Sequence, residues 1–573
     1  MGKINVSQFD TRSGVRNKTL PVQVPIPGSK QVQNNTDGFV WKVSIWDQLE
    51  RYIVIGAEGG TYYVGEHELM KQNHAALTEC LAEDPARTIK LIQDISMQGR
   101  AYRNEPALFA LAVAASSKDD KARKLALAAV ASVCRIGTHL FHFAAYASAL
   151  RGWGRGLRSA VASWYTNRDA DTLAYQAVKY QQRDGWSHKD LLRLSHPVAS
   201  DVKQDAVLRW MIGGMDGLGK RTVERVVGKV STKLLPPKRE KSDYPSRKKN
   251  LPEFIEAFEE AKTAGVKTLV NLIEKHNLPR EAVPTDKLNS LEVWDALLQK
   301  MPLTAMIRNL AKMTAIGLIK PMSEAAKLVK TRLADKEYLR KSRIHPMQVL
   351  VAAKIYNQGH GDKGKLSWTA VPSINEALEA AFYATFPNVK SCGKPLLIAL
   401  DVSGSMGSSV AGSTPLRACE VTAAMSLVHA SVEDDYHIFG FANTFRDLGI
   451  RKGMTLENAM KKVVDENFGS TNVSLAIDYA LKNQINVGGF LVMTDNEVNT
   501  GRHVSLALRE YREKFVQDAR LVVMATTATP FSVNDPSDKY GLDICGFDTS
   551  TPSVAADFIR GSQTVNEAVE TED

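Results

Sequence analysis

The chain has 573 residues, of which 44% are hydrophobic and 24% are charged, a composition typical of soluble globular proteins. This length exceeds what one hydrophobic core accommodates, so about two to four domains are expected. The sequence has no apolar run long enough to span a bilayer, and because its N-terminus is polar we do not expect a secretory signal there. Its five scattered cysteines indicate neither a disulfide framework nor a zinc site. These features predict a cytoplasmic protein without a membrane partner.

The formal net charge of +10 is distributed unevenly along the chain. From Cys392 onward there are 15 Lys and Arg residues against 24 Asp and Glu residues, a net charge of −9. The preceding 391 residues hold 58 basic and 39 acidic residues, a net charge of +19. This division predicts that the N-terminal part binds a polyanion such as nucleic acid and that the C-terminal part does not.

The first elements in chain order are an arm and a long helical region. Residues 1–36 are polar and include three prolines, which predicts an extended N-terminal arm. From residue 37 to about residue 385, apolar residues recur at spacings of three and four, the period of amphipathic helices. Short breaks such as Gln98-Gly99-Arg100 predict stacked antiparallel helices, and since no strict period emerges, any HEAT-like repeat would be degenerate. A charged stretch near residues 236–252 predicts a mobile basic loop.

One segment of the helical region, residues 179–197, is rich in basic and aromatic side chains. The spacing of Lys179 and Arg183 predicts one helix face, Gly185 is expected to end that helix, and Ser187 to cap the next. Such a surface suits phosphates together with stacked or hydrogen-bonded bases, and a solvated helix face above a buried tryptophan is the alternative. The candidate RNA-binding residues are Lys179, Arg183, His188, Lys189, Arg193 and His196, extended upstream by Arg155 and Arg158.

Residues 386–560 alternate between strand and helix patterns and precede an acidic tail at residues 561–573. The alternation predicts an α/β doubly wound, Rossmann-like parallel sheet, in which ligands bind at the carboxyl ends of the strands. Three loops at those ends carry oxygen atoms. The first holds Asp401, Ser403 and Ser405, and the others are residues 469–472 and 494–497. Carboxylate and hydroxyl oxygens suit a hard cation such as Mg²⁺.

The first loop, Asp401-Val402-Ser403-Gly404-Ser405, resembles the opening motif of the metal-ion-dependent adhesion site of von Willebrand factor A domains. The other two loops follow in the order of that site's remaining motifs. A serine-rich turn after a core strand is the alternative interpretation of the first loop alone. Glu497 is expected either to support the site from behind or to lie at the surface. The resemblance implies that the cation is bound, partly through water, by Asp401, Ser403, Ser405, Thr471 and Asp495.

Several longer motifs resemble the Ro autoantigen family, whose members carry a TROVE domain. These motifs are Asp37-Gly38-Phe39-Val40-Trp41, Glu58-Gly59-Gly60-Thr61-Tyr62-Tyr63, Cys134-Arg135-Ile136-Gly137-Thr138-His139-Leu140-Phe141, the stretch from Gly185 to His196, Arg343-Ile344-His345-Pro346 and Thr494-Asp495-Asn496-Glu497. The resemblance extends from about Asp37 to Phe547. Lys179, Arg183 and His196 match residues that the family uses to bind RNA. The N-terminal arm and the loop near residues 236–252 depart from the animal members.

The resemblance implies a monomeric ring of HEAT-like helical repeats closed beside the A-type domain. It implies that the ring binds small noncoding Y RNAs on its outer surface and single-stranded 3′ ends of misfolded or maturing RNAs in its hole, in RNA quality control or processing with a nuclease. We therefore expect a non-catalytic RNA-binding protein.

Two alternatives remain. One is a metal-dependent scaffold that docks an exoribonuclease or another protein at the metal site. The other is a Mg²⁺-dependent RNA hydrolase, which is disfavoured because two-metal nucleases need more than the two carboxylates present and because no general base is evident.

Overall fold

The computed structural model describes residues 18–218, 248–361, 364–387, 389–410, 415–464 and 469–561. Most of the predicted basic loop near residues 236–252 lies outside these residues. The first 17 residues of the predicted arm and all but the first residue of the acidic tail also lie outside them. All five cysteines are described, and each is buried and outside any disulfide bond. Within the described ranges, no helix combines the length and apolar character that crossing a membrane requires.

A helical N-terminal region is followed by an α/β domain, as the sequence predicts, and the sheet of that domain is mixed because its edge strand is antiparallel. The helices of the first region are Ile45–Ile55, Glu66–Glu83, Pro85–Gln98, Glu105–Ala115, Asp120–Val133, Gly137–Arg151, Arg155–Thr166, Ala170–Lys179, His188–Ser195, Val202–Gly217, Glu253–Ala261, Val266–His276, Leu291–Lys300, Leu303–Ala315, Glu324–Ala334, Lys336–Ser342, Pro346–Gln358 and Pro372–Ala384. Those of the second region are Ala418–Val432, Leu456–Val464, Leu475–Lys482, Val504–Lys514 and Thr551–Arg560.

The strands form one six-stranded sheet, one three-stranded sheet and one short hairpin. Numbered in chain order, they are Gln31–Gln33 (β1), Phe39–Lys42 (β2), Gln182–Arg183 (β3), Trp186–Ser187 (β4), Leu396–Asp401 (β5), Tyr436–Phe441 (β6), Phe445–Asp447 (β7), Gly489–Thr494 (β8), Arg520–Ala525 (β9), Phe531–Ser532 (β10) and Gly541–Cys545 (β11).

The chain divides into two compact units. The unit that we call the sheet unit consists of the described residues of 1–83, 98–106 and 327–573. The other, the helical unit, consists of the described residues of 84–97 and 107–326. The sheet unit therefore includes the first two helices of the chain and the helices that immediately precede β5.

The large sheet of the sheet unit has the strand order β11-β9-β8-β5-β6-β7. Its first five strands are parallel, and only the edge strand β7 runs antiparallel to its neighbour. All six residues of β5 and all six of β8 are buried, because helices cover both faces of a parallel sheet. The chain leaves β5 toward β6 on one side and returns to β8 on the other, which opens a crevice at the carboxyl end of β5.

The described part of the N-terminal arm belongs to the sheet unit and is not a free extension. Leu20 and Val22 are buried, and β1 pairs antiparallel with β2, which in turn pairs with β10. Val40 of β2 is part of the same apolar core as Phe490 of β8 and Tyr511 of the helix Val504–Lys514. Burial of these apolar side chains anchors the segment on the larger sheet.

In the helical unit, polar residues at helix starts define where successive helices begin. Asp169, Ser187 and Asp201 each accept a hydrogen bond from the backbone N–H three residues later. Such caps satisfy N–H groups that have no partner within the helix. Trp164 and Tyr165 are fully buried between these helices, and the guanidinium of Arg168 stacks 3.8 Å from the Trp164 ring.

A buried arginine ties the helix Ile45–Ile55 to the sheet. Arg51, 2% exposed, donates to the backbone carbonyls of Thr529 (3.1 Å) and Phe531 (2.7 Å), and its guanidinium lies 3.2 Å from Asp543 of β11. Burial of the Asp543 carboxyl raises its pKa, and the adjacent guanidinium opposes that shift. Each of the two charges therefore depends on the other inside the protein.

We predict that Arg51→Ala destabilises the sheet unit by roughly 3–5 kcal/mol, because it leaves the Asp543 carboxylate without its cation and two buried carbonyls without their donor. Arg103→Ala, which removes a more exposed pair with Glu58, serves as the control and should cost less than about 1 kcal/mol. Thermal unfolding followed by calorimetry measures both effects. Equal losses for the two variants would contradict this assignment.

Candidate metal centre and nucleic-acid surface

The carboxyl end of β5 brings three of the predicted metal ligands together. Asp401 is the last residue of the strand, and the short 3₁₀ turn Gly404–Gly407 follows immediately. The backbone N–H of Ser403 donates to Asp401 Oδ1 (2.9 Å), and the hydroxyls of Ser403 and Ser405 lie 3.1 Å apart. All three side chains are almost completely buried. The end of β5 therefore places the Asp401 carboxylate in the crevice, and the following turn places the hydroxyls of Ser403 and Ser405 beside it.

The other two predicted ligands, Asp495 and Thr471, come from separate loops. Asp495 follows β8 directly and hydrogen bonds with Ser405, so it joins the first three residues. Thr471 forms no hydrogen bond with the other four within the described ranges. Its backbone N–H donates to Asn499 Oδ1 (2.9 Å), and its carbonyl accepts from the Asn499 N–H (3.2 Å), which ties it to the loop that carries Asp495.

The carboxylates of Asp401 and Asp495 are both buried, and the negative charge of Asp495 acts on Asp401. Burial, followed by the charge of Asp495, raises the pKa of Asp401 to about 7, and burial also raises the pKa of Asp495. In the part of the chain that the structure describes, neither carboxylate forms an ion pair with a lysine or arginine. The Thr494 hydroxyl donates to Asp401 Oδ2 (2.6 Å), which compensates the charge only in part. A cation would relieve this repulsion.

The donors present fit Mg²⁺, which prefers oxygen ligands and retains several waters. The described residues contain no group of three or more His, Cys, Asp and Glu side chains arranged to hold a metal. A cation here would therefore depend on the hydroxyls of Ser403, Ser405 and Thr471 as well as on the two carboxylates. The occupant and its coordination remain predictions.

Two further residues lie beside these ligands: Tyr63 was not assigned to the site from the sequence, and Glu497 was expected there as one of two alternatives. The Tyr63 hydroxyl hydrogen bonds with Ser405, and burial and the charge of Asp495 raise the pKa of Tyr63. Glu497 is 1% exposed, so the surface alternative for it is wrong, and it accepts hydrogen bonds from Asn35. The pKa of Glu497 is raised to about 7, chiefly by burial. Only the family motif that includes Tyr63 could have pointed to it, since no spacing links residue 63 to residue 405.

The basic segment of the helical unit differs from its predicted form. The helix Ala170–Lys179 ends at Lys179, and β3 and β4 follow as a two-residue hairpin. Asp184 and Gly185 form the turn with φ angles of 50° and 76°, the left-handed pair that a type I′ turn requires. Arg183 therefore lies on a hairpin and not one helical turn from Lys179. The Asp-Gly pair is itself a hairpin signal, which the helical interpretation overlooked.

The helix that follows the hairpin begins as the sequence predicts. Ser187 accepts from the backbone N–H of Asp190 (3.4 Å), while the Asp190 carboxylate accepts from the Ser187 N–H (3.0 Å). This capping box starts the helix His188–Ser195, on which Lys189 and Arg193 lie one turn apart and exposed. His196, also exposed, ends the helix in the left-handed conformation with φ 49°.

Most of the predicted RNA-binding side chains are accessible. Lys179 is half-buried, and its ammonium lies 5.2 Å from the Tyr175 ring and 5.6 Å from the Tyr180 ring. The rings of Trp153 and Trp186 lie 5.6 Å apart, which joins the start of the helix Arg155–Thr166 to the hairpin. The exposed members are Arg155, Arg158, Arg183, Lys189, Arg193 and His196.

A shallow groove of about 390 Å³ lies among these side chains. Its walls are formed by Gly185, Trp186, Asp190, Arg193 and Leu194. The groove is thus lined by an indole side chain and an exposed arginine, and an aromatic ring and a guanidinium are the groups that recognise stacked bases and phosphates. We call this groove and the exposed cations around it the basic surface.

His188 does not belong to the basic surface. It is 4% exposed, its Nδ1 lies 2.9 Å from the Tyr165 hydroxyl, and its ring is surrounded by the rings of Phe141 and Trp164. Burial lowers its pKa to about 4, so the imidazole is neutral in the folded protein. Its place at the first position of the helix turns it toward the core. The predicted contact between His188 and RNA is therefore corrected to a role in packing beneath the surface.

Comparison with known proteins identifies the family. Residues 32–394 match the TROVE domain, and residues 395–559 match the Ro60 vWA domain. The chain belongs to the Ro60 family. The Ro60-family protein of Deinococcus radiodurans, named RNA-binding protein RO60, is 38% identical over 536 residues, which cover 93% of this chain and 96% of the relative. The protein of the same name from Caenorhabditis elegans is 34% identical over 598 residues, covering 95% of this chain and 92% of the relative.

A solved structure agrees with this assignment. The crystal structure of the Deinococcus radiodurans RO (RSR) protein has a TM-score of 0.64 and 36% identity, and the match covers 91% of this chain and 100% of that one. Both regions of this Ro60-family chain, helical and mixed-sheet, thus have family counterparts. The relatives are named as RNA-binding proteins and not as enzymes.

The burial of His188 leads to a prediction about pH. Because its folded pKa of about 4 lies below the ordinary value of 6.5, the unfolded chain binds more protons between these values. Stability is therefore complete above about pH 6.5 and is lost as the pH falls toward 4, by up to roughly 3 kcal/mol from this group. His188→Phe should show a smaller loss between pH 6.5 and 4 than the wild type, measured by urea unfolding.

His196→Asn is the matched control, since His196 is exposed and asparagine tolerates its left-handed backbone. This variant should keep the pH dependence of the wild type. If His188→Phe kept it as well, the buried imidazole would not be its source.

Proposed function

We propose that this protein is a non-catalytic RNA-binding protein that holds a small noncoding Y RNA on the basic surface. It also receives the single-stranded 3′ ends of misfolded or maturing RNAs in the hole of the helical ring that the family resemblance implies. It would act in the cytoplasm in RNA quality control or processing together with a nuclease. The observation that carries this proposal is the cluster of exposed cations around Trp186, Arg193 and the hairpin.

The electrostatics of the basic surface favour phosphate as its ligand. Arg155 and Arg158 lie in the first turn of the helix Arg155–Thr166, which has no acidic residue in that turn and no side-chain cap at Gly154. Cations at this end oppose the helix dipole, whereas an anion there is stabilised both by the dipole and by the free N–H groups. A phosphate at this helix start could accept hydrogen bonds both from the free backbone N–H groups and from the guanidinium groups of Arg155 and Arg158. The groove beside Trp186 could then take an unpaired base.

Removing two exposed cations of the basic surface tests the RNA part of the proposal. Arg183→Ala combined with Arg193→Ala should weaken Y RNA binding by at least about tenfold at physiological salt, because each arginine contributes charge-assisted hydrogen bonds to phosphate. The slope of log affinity against log salt should become shallower by roughly one to two. Filter binding at several salt concentrations measures both quantities.

The matched control is Lys90→Ala combined with Lys124→Ala, which removes the same charge from two helices where each lysine is already paired with an aspartate. This variant should bind almost as the wild type does. Equal weakening by both double variants would mean that net charge, and not the basic surface, governs binding.

A second function, metal-dependent docking of a protein, is favoured by the oxygen-rich crevice at the end of β5. If Mg²⁺ binds there, Asp401, Ser403, Ser405, Thr471 and Asp495 would hold it, and the ion would supply a position for a carboxylate of the partner. The acidic surroundings, with a net charge of −9 from Cys392 onward, disfavour RNA at this position. Hydrolysis of RNA is also disfavoured, since only two carboxylates converge with the hydroxyls.

The docking function predicts that partners are lost when the metal is removed. A nuclease captured by the wild-type protein should be released by EDTA and should not be captured by Asp495→Ala, while both changes leave Y RNA binding intact. Affinity capture with and without EDTA, followed by a nuclease assay of the eluate, measures this. A nuclease retained under both changes would contradict docking through the metal.

A further inference from the structure

The side chain of Asn34 holds the backbone of the turn between β1 and β2, residues 34–38. Asn34 is 6% exposed, and its Oδ1 accepts from the backbone N–H groups of Thr36 (3.0 Å) and Gly38 (2.8 Å). Asp37 adopts the left-handed conformation with φ 68°. The turn therefore has a defined shape that projects Asn35 outward from the strands. We call residues 34–38 the N-terminal turn.

The N-terminal turn binds the loop that follows Asp495. Val498 O accepts from Asn34 Nδ2 (2.8 Å) and from the Thr36 hydroxyl (3.0 Å). The Asn35 backbone N–H donates to Glu497 Oε2 (3.0 Å), and its side-chain amide donates to the other oxygen of the same carboxylate. At Gly38 a side chain would lie 1.9 Å from Val498 O, so only glycine permits this approach.

The same loop fixes two of the predicted metal ligands. The Glu497 N–H donates to Asp495 Oδ1 (3.0 Å), which orients that carboxylate. Asn499 exchanges two hydrogen bonds with the backbone of Thr471, at 2.9 and 3.2 Å. Hydrogen bonds joined by the backbone of residues 497–499 therefore link Asn35 to Asp495 in one direction and to Thr471 in the other.

We propose that the N-terminal turn positions Asp495 and Thr471 for a divalent cation, and that Asn35 is the positioning residue through its double contact with Glu497. The proposal rests on the metal site proposed above. Residues behind a metal ligand fix its orientation, and their loss weakens metal binding although they never touch the ion. Because the turn and the cation favour the same arrangement of the loop, each should strengthen the binding of the other.

Binding of Mn²⁺ to the full-length protein tests the proposal, with the free ion followed by electron paramagnetic resonance. Asn35→Ala removes the side-chain donor, and Asn35→Asp sets a second negative charge against Glu497. Both should weaken Mn²⁺ binding by about tenfold or more. The matched control is Gln33→Ala in the same hairpin, whose exposed amide faces Asp37 and not the loop. This control should bind Mn²⁺ as the wild type does.

A second measurement needs no substitution in the turn. Hydrogen exchange of the full-length protein should slow in a peptide that covers residues 31–40 when Mg²⁺ is added. This protection should be absent in Asp401→Ala. A turn that serves only to pack the hairpin would not respond to the ion.

The outcomes separate this proposal from the metal site itself. If Asp401→Ala binds Mn²⁺ as tightly as the wild type, the metal site fails and the role of the turn fails with it. If Asp401→Ala loses Mn²⁺ but both Asn35 variants bind it as Gln33→Ala does, the metal site stands and the role of the turn is overturned. Hydrogen exchange at residues 31–40 that does not change when Mg²⁺ is added would also overturn the role of the turn.

Discussion

Two carboxylates, Asp401 and Asp495, lie buried beside each other at the carboxyl ends of β5 and β8. Burial and mutual repulsion disfavour their charged forms, so the surrounding loops must supply hydrogen-bond donors, a cation or both. The Ser403 N–H, the Thr494 hydroxyl and the Glu497 N–H each donate to one of the two carboxylates. The order of the parallel strands creates this constraint, because it ends two neighbouring strands in acidic residues at one crevice.

The basic surface of the helical unit has the opposite character. Its cations are exposed and Trp186 lines its groove, while Asp401 and Asp495 of the sheet unit are buried. The sequence also divides by charge, with net +19 before Cys392 and net −9 from Cys392 onward, a boundary that falls within the sheet unit. A polyanion and a metal-bound protein partner would thus be attracted to different parts of the molecule, each by its own electrostatics.

Sequence reasoning succeeded where a local pattern determines the structure. The apolar run before Asp401 predicted a buried parallel strand, and Ser187 predicted the start of a helix. It was wrong where a competing local signal was overlooked and where tertiary contacts decide the outcome. The four-residue spacing of Lys179 and Arg183 suggested a helix, but Asp184-Gly185 turns the chain into a hairpin. The burial of His188 depends on Tyr165 and Phe141, and the contact of Asn35 with Glu497 joins residues 462 positions apart. No local pattern encodes such contacts.

We propose that RNA binds the basic surface and not the metal crevice. Crosslinking a Y RNA to the full-length protein with ultraviolet light, followed by mass spectrometry of the crosslinked peptides, tests it most directly. The crosslinks should fall on peptides that contain residues 153–158 and 183–196, with Trp186 among the modified residues, and should be absent from peptides with residues 401–405 or 495–499. Crosslinks concentrated at the metal crevice, with none near Trp186, would contradict the claim.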